Sequence, residues 1–267
     1  MDERRYFEIV ASYKLMAKHE VGQNFLVDTD AAKRIVDEAR IEKGEHVLEI
    51  GSGAGSLTYY LSKTEGDIEA IDIDEGLVAK LQEDFGEDVN VHYGNAAKYD
   101  YAPYEKIIGN LPYYITSSLI ERCLLLGEKA KTMVFMVQKE AGERILSNVG
   151  GKEYGPLPIL IRWLSEPKRC FAVKRDCFAP APHVDSVVLR FDMKTRPDID
   201  LQKAYRFVEA LFLQRRKKLL NNLKNVLHDG EKAQHALELA GLSEDVRPEQ
   251  VSPEAFMSLY VLASGMK

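Results

Sequence analysis

Long apolar runs are missing from this 267-residue chain: none approaches the roughly 18 residues that a membrane-spanning helix needs. Its opening stretch, MDERRYFEIV, carries charges where a secretory signal would have an apolar centre, so a cytoplasmic protein with no membrane partner is expected. Cysteine is scarce. Cys123, Cys170 and Cys177 are odd in number and lack metal-ligand spacing, which favours free thiols over a disulfide or zinc framework, and no metal is expected. There is no internal repeat and no low-complexity tract, which sets aside solenoids and flexible linkers. Net positive charge is also lacking, with 36 Lys+Arg against 42 Asp+Glu. That would argue against a nucleic-acid partner if the charges were evenly spread, but residues 165–228 hold 14 Lys+Arg against 7 Asp+Glu. A basic region belongs to an otherwise acidic chain.

What is present is a 45% hydrophobic chain, ample for a core. The runs 46–51, 68–73, 89–93, 105–109 and 132–137 read as short buried strands, with amphipathic segments 55–63, 75–84 and 115–126 between them. This alternation predicts an α/β fold of βαβ units around a mostly parallel sheet. Two further strand-like runs, 157–164 and 184–191, are expected to complete it. Past Arg190 the pattern changes. TRPDID makes a polar joint, and from Leu201 onward the chain reads as helix. The expected domains are 1–195, α/β with an N-terminal extension, and 196–267, small and all-helical.

EIGSGAG, residues 49–55, follows the first strand and opens a helix. Its glycines let the backbone turn sharply and keep side chains away from a ligand at the helix N-terminus. The spacing is G-x-G-x-G, not the G-x-G-x-x-G of dinucleotide folds, and suits S-adenosylmethionine, which has no pyrophosphate. Asp72, at the end of the second strand, is placed to accept hydrogen bonds from ribose hydroxyls; Asp74 is the near rival. A glycine turn that merely joins strand to helix is the plain alternative.

GNLPYYITSS, residues 109–118, spends Asn110, Pro112 and two tyrosines on one corner at the carboxyl end of the fourth strand, the edge where open α/β sheets bind ligands. An adenine amino nitrogen is a poor nucleophile because its lone pair is delocalised into the ring. If the Asn110 side-chain oxygen and the Leu111 carbonyl each accept one of its N–H groups, that lone pair is held toward a methyl donor. Pro112 restricts the residue before it, and Tyr113 offers a face for the base to stack on. Tyr114 is expected to pack behind it, with a base platform as the alternative. The plain alternative is a strand-ending turn with one core tyrosine.

With GQNFLVD (22–28), EIGSGAG, GNLPYYITS, MVQKE (136–140), KEYGPL (152–157), FAPAPHVDS (178–186) and QRRKKLLNNL (214–223), the chain resembles the ribosomal RNA adenine dimethyltransferases that act on the small subunit, from about residue 18 to its end. The resemblance implies a Rossmann-like methyltransferase domain. It implies S-adenosylmethionine as cofactor, S-adenosylhomocysteine as product, and N6-dimethylation of two adjacent adenosines in a hairpin loop near the 3′ end of small-subunit rRNA during ribosome biogenesis. It puts Asn24, Leu26, Gly51, Gly53, Asp72, Asn95 and Asn110 at the cofactor. Asn110, Leu111, Pro112 and Tyr113 fall at the target base, with Phe178 as a second stacking face. From the residues alone, Gln23 and Asn24 could instead cap the helix near Thr29, and Phe178 could be core. Asp72 and Asn95 depart from the family's common Glu and Asp, and Pro158 replaces its usual serine. The large-subunit methyltransferases of macrolide resistance share the corner, and a ribosome-assembly factor with a secondary methylation role is the alternative of another class.

The expected partner is rRNA in an immature small subunit, bound by a monomer. If residues 201–227 form one helix, Val208, Phe212, Leu219, Leu223 and Val226 make its apolar stripe, while Lys203, Arg206, Ala210, Leu213, Lys217, Asn221 and Lys224 line an outer face free of acids. Lys203, Arg206, Arg216, Lys217 and Lys224 are the expected RNA contacts, with a solvated face as the plain alternative. Arg215 falls on the apolar stripe, which points to an anchoring role or to a helix break near Gln214.

Overall fold

The computed structural model describes residues 2–12 and 23–265; GQNFL begins at Gly22, outside the described residues. In chain order the elements are α1 (Glu3–Ser12), β1 (Phe25–Leu26), α2 (Thr29–Ala39), β2 (His46–Ile50), α3 (Thr58–Leu61), β3 (Asp67–Asp72), α4 (Glu75–Phe85), β4 (Asn90–Tyr93), β5 (Lys106–Asn110), α5 (Thr116–Leu126) and β6 (Thr132–Gln138). They continue as α6 (Lys139–Ile145), α7 (Pro156–Leu164), β7 (Ser165–Val173), β8 (Phe178–Ala179), β9 (Ser186–Met193), α8 (Leu201–Phe212), α9 (Leu219–Leu227), α10 (Gly230–Leu239) and α11 (Pro253–Gly265).

One compact unit comprises Met1–Gly142 and Pro167–Met193. Its sheet has the order β4-β3-β2-β5-β6-β9-β7, parallel from β4 through β6, with β9 antiparallel to β6. Six of the seven runs expected as strands form it, most of them largely buried; residues 132–137 of β6 are buried throughout. The chain winds outward from β2 through β3 to β4, then returns to β5 on the other side. That reversal opens a crevice beyond the carboxyl ends of β2 and β5, the usual ligand position in such sheets. Helix α2 covers part of the core with Ala31, Ala32, Ile35, Val36 and Ala39, and Asp28 caps it by accepting from the Ala31 N–H at 2.8 Å.

Helix α1 seals the glycine loop from behind. The Tyr6 ring stacks on Tyr59 with centroids 4.9 Å apart, and its hydroxyl donates to the Ala54 carbonyl at 2.8 Å. Gly55 sits beneath, at φ +85°, where a Cβ would run into the Tyr6 hydroxyl and Leu81. Its α-carbon has to be bare.

The second unit comprises Glu143–Glu166 and Lys194–Lys267. It takes in residues 143–166, which the sequence assigned to the α/β domain. Run 157–164 is a helix, not a strand: α7 starts with Pro156 at its first position, and six of its nine residues are buried. A continuous apolar run shows no period by which helix and strand can be told apart. Pro158 stands in the first turn of α7, where a missing N–H costs no intrahelical bond, so that departure is harmless to the helix. The strand that joins the sheet is instead β7, SEPKRCFAV, too polar to be legible as a strand; Pro167 and the cations Lys168 and Arg169 suit its position at the sheet's edge. Around α7, the ring of Phe212 meets those of Tyr154 and Phe256 at 6.3 and 5.6 Å. The Trp163 indole donates to the Pro253 carbonyl at 2.7 Å. Among the described residues no helix is long and apolar enough to cross a membrane.

Candidate active site

A cavity of about 350 Å³ opens at the carboxyl edge of the sheet, near the lower end of the range of roughly 300–1,000 Å³ usual for small-molecule sites. Asn24, Leu26, Gly51, Gly53, Asp72, Asn95, Asn110, Leu111, Pro112 and Tyr113 all line it. They come from five separate stretches of chain.

The glycine loop is bound to the strand beside it. The Gly51 and Ser52 N–H groups donate to the Ile71 carbonyl at 2.8 and 3.1 Å. One Asp72 oxygen accepts from the Gly53 N–H at 2.8 Å and the other from the Asp74 N–H at 2.9 Å. Asp72 therefore shapes the loop and, on the cavity wall, still has acceptor capacity left on its carboxylate. Asp74, the rival acid, caps α4 by accepting from the Gly76 and Leu77 N–H groups. Burial raises the Asp72 pKa above the ordinary carboxylate value, against the lowering effect of these backbone donors.

A second acid on the cavity wall went unnoticed in the sequence. Glu49 is fully buried at the end of β2 and accepts from the Thr58 hydroxyl at 2.7 Å. Burial, with the nearby Asp72 charge adding to it, pushes its pKa up to about 7. Its place in EIGSGAG was the available signal. Ile73, just past Asp72, is also on the wall, and the buried Ser52 hydroxyl of the loop has no protein partner among the described residues.

The corner at the end of β5 is set by main-chain contacts. Gly109 lies so close to β2 that a Cβ there would be 2.6 Å from the Ile50 carbonyl oxygen. The Leu111 N–H donates to the Met136 carbonyl at 3.0 Å, and the Pro112 carbonyl accepts from the Ile115 N–H at 3.2 Å and the Thr116 hydroxyl at 3.0 Å. The Asn110 side-chain N–H donates to the Asn24 carbonyl at 3.5 Å, which leaves the amide oxygen as an acceptor. Among the described residues, the Leu111 carbonyl accepts no hydrogen bond. Two acceptors from consecutive cavity-lining residues thus remain open at the corner. Tyr113 is half-buried, and burial raises the pKa of its hydroxyl. Tyr114 does not pack behind it but is exposed. Asn95 caps the short helical turn 96–98, its side-chain oxygen accepting from the Ala97 N–H at 3.0 Å.

Phe178 is not brought to this wall. It is only 4% exposed, packed into the core, and paired in register with Leu26 through β1 and β8. The FAPAPHVDS loop supports Leu26 there, because a two-residue strand pair turns Phe178 inward.

The basic segment also differs from expectation. Residues 201–227 are two helices, and the intervening 213–218 form a loop pinned by side chains. Buried Asn222 donates to the Leu211 and Gln214 carbonyls at 2.8 and 3.2 Å, which ends α8 and fixes the turn. Arg215 donates to the Lys152 carbonyl at 2.7 Å, the anchoring role, and Lys218 pairs with Asp245 at 2.5 Å. Arg216 and Lys217 are left exposed with no ion pair among the described residues. Arg206 is exposed on α8, whereas Lys203 pairs with Asp200 at 2.9 Å and Lys224 borders a recess lined by Asp229, Glu231 and Glu238. The expected acid-free face does not exist: the helix is broken at 213–218, Lys203 pairs with Asp200 at the start of its own helix, and Asp229, Glu231 and Glu238 at and within α10 line the recess beside Lys224.

Comparison with known proteins shows the family. The model of the family described as "Ribosomal RNA adenine dimethylase" matches residues 15–264. The protein named ribosomal RNA small subunit methyltransferase A of Thermotoga maritima is 38% identical, covering 95% of this chain and 88% of its own; that of Moorella thermoacetica is 35% identical over 96% and 95%. Among solved structures, a dimethyladenosine transferase from Plasmodium falciparum has a TM-score of 0.75 at 24% identity, covering 89% of this chain and 96% of its own. The 23S rRNA methyltransferase ErmE has a TM-score of 0.68 at 25% identity over 90% and 100%. The chain belongs to the ribosomal RNA adenine dimethylase family.

Proposed function

We propose that this member of the family transfers methyl groups from S-adenosylmethionine to the N6-amino groups of two adjacent adenosines in the hairpin loop near the 3′ end of small-subunit rRNA, each being methylated twice. The observation that carries this is the pair of acceptors at the end of β5, the Asn110 amide oxygen and the Leu111 carbonyl, on the wall shared with the glycine loop. The residues fit the cofactor. Asp72 keeps lone pairs for ribose hydroxyls, the partnerless Ser52 hydroxyl can meet a polar group, and Glu49 beside Asp72 favours a cationic ligand. When bound, S-adenosylmethionine supplies a methyl group activated by a sulfonium charge.

The chain's own work is positioning. Asn110 and Leu111 each accept one N–H of the target amine, which fixes its lone pair in one direction, and Asn24 keeps the Asn110 amide from turning over. Tyr113 holds the plane of the base from the cavity wall. No general base is required, since the amine becomes strongly acidic on methylation and loses its proton to water. The target adenosine must leave its stack to enter the cavity, which favours a loop as substrate. Arg206, Arg216 and Lys217 carry the RNA contacts of the helical unit, with Lys203 and Lys224 in lesser roles. The protein works as a monomer in the cytoplasm on a subunit being assembled.

The test is transfer of label from S-adenosylmethionine to purified small subunits that lack the modification. Label should appear on the two adjacent adenosines as N6,N6-dimethyladenosine. No transfer, or transfer to large-subunit rRNA in its place, would overturn the proposal.

A further inference from the structure

Three large apolar side chains of the α/β unit are strongly exposed among the described residues: Ile73 at 51%, Tyr93 at 53% and Tyr114 at 66%. All three stand at the carboxyl edge of the sheet, just at or past the ends of β3, β4 and β5. Ile73 and Tyr114 belong to the cavity wall itself. An apolar rim on a cavity mouth marks a surface that a ligand covers.

Tyr114 has a specific setting. The Ile115 N–H closes onto the Pro112 carbonyl at 3.2 Å, so Tyr113 and Tyr114 are the two central residues of a hydrogen-bonded turn. The Thr116 hydroxyl, donating to the same carbonyl at 3.0 Å, braces it. Adjacent side chains on such a turn diverge. Tyr113 is half-buried in the wall, while Tyr114 stands out at the mouth. A base held against Tyr113 brings its neighbour in the strand to the mouth, one nucleotide away.

We propose that Tyr114 is a stacking platform for the nucleotide next to the target, so that the enzyme holds two successive bases at once, one inside the cavity and one on its rim. The inference rests on the proposed function and adds a second base site to it. Stacking on an aromatic face does not depend on the N6 substituents, so the platform serves an unmodified or an already methylated neighbour alike. The two adjacent adenosines can therefore exchange places between rounds of transfer. A rigid turn beneath the ring lowers the entropy lost on binding.

The test compares Tyr114→Ala, Tyr114→Phe and Tyr114→Trp with the parent. Binding of adenosine monophosphate and of the dinucleotide adenylyl-adenosine is measured with S-adenosylhomocysteine present, and methyl transfer is measured on undermethylated small subunits. The parent should prefer the dinucleotide by about fivefold or more, the low end of base–aromatic stacking. Tyr114→Ala should lose that preference and raise KM for subunits, while kcat, mononucleotide affinity and S-adenosylmethionine affinity stay within about twofold of the parent values; Tyr114→Phe and Tyr114→Trp should keep the preference. A parent without the preference, or a Tyr114→Ala variant that retains it, overturns the platform. Absence of methyl transfer by the parent would instead overturn the proposed function.

Discussion

The corner at Asn110 and the loop at 213–218 are both short connections to which the proposed function gives a role, and they are held by a different balance of bonds. At the corner the main chain does the holding: Leu111 N–H to Met136, Pro112 carbonyl to Ile115, and Gly109 pressed against β2. The Asn110 side chain adds only a 3.5 Å bond to the Asn24 carbonyl, made by its N–H, so its oxygen stays open. In the basic loop side chains add to main-chain bonds such as Lys217 N–H to Gln214 and Leu219 N–H to Val246: Asn222, Arg215 and the Lys218–Asp245 pair all hold it, and of its cations only Arg216 and Lys217 are spare. The Asn110 amide can thus be removed at the cost of one long hydrogen bond, whereas cations in the loop divide into pinned and spare.

The sharpest way to break this comparison is Asn110→Ala. By analogy with removing one preorganised polar group from an active site, methyl transfer should fall on the order of 10²-fold or more, with the melting temperature nearly unchanged. Near-normal turnover in a folded variant would show that the corner needs no amide. In the basic loop, the double change Arg216→Glu and Lys217→Glu should weaken subunit binding roughly tenfold and flatten its log–log salt dependence by about two units, one per lost phosphate contact. The pair Lys203→Glu and Lys224→Glu should do markedly less, because both cations already face acids. If the second pair weakened binding as much as the first, the division into pinned, paired and spare cations would be wrong.

The same contrast explains what could be read from the amino-acid order. EIGSGAG and GNLPYY specify backbone shapes with residues that few alternatives can replace, so their positions at strand ends were legible, and so was the parallel sheet. Charges on a helix specify no shape. The break after Phe212 depends on Asn222, a buried amide ten residues downstream whose role shows only once α8 and α9 are side by side. Phe178 was ambiguous for a related reason: in a proline-rich loop nothing local says which way an aromatic turns. Glu49 was hidden by its own motif, where the glycines draw attention from the acid before them.

Glu49 gives a prediction about pH. Its pKa is raised from the ordinary 4.5 to about 7 by burial first and by Asp72 in addition. Because the folded value is the higher one, the stability it contributes is full below about pH 4.5 and is lost as pH rises through 7. Thermal stability of the unliganded protein should therefore fall between pH 5 and about pH 8 more steeply than that of Glu49→Gln, whose amide oxygen can still accept from Thr58. A cationic ligand reverses the preference, since it favours the ionised carboxylate. S-adenosylmethionine should bind several-fold more tightly at about pH 8 than at about pH 6, and S-adenosylhomocysteine, which lacks the sulfonium charge, should gain less. Calorimetry at the two pH values checks both. Equal gains for the two ligands, or the same profile in Glu49→Gln, would remove Glu49 from the cofactor's surroundings.

The smallest effect expected is at Asn95, which lines the same cavity. Its side-chain oxygen caps the 96–98 turn, a task that a carboxylate oxygen performs equally well, so Asn95→Asp should leave the local fold intact. The substitution replaces the amide N–H₂ with a second acceptor, which can take a charge-assisted hydrogen bond from the amino group of the cofactor's adenine. A bond to a charged group exceeds a neutral one by about 1 kcal/mol, which sets the gain near fivefold. Part of it is offset, because a third acid joins Glu49 and Asp72 around one cavity and the like charges raise one another's pKa. The net tightening should be about two- to fivefold. It should be the same for S-adenosylmethionine and S-adenosylhomocysteine, since both carry the adenine, and this separates it from the sulfonium-dependent effect of Glu49. Unchanged or weaker affinity, or a gain confined to the sulfonium ligand, would show that Asn95 does not meet the adenine.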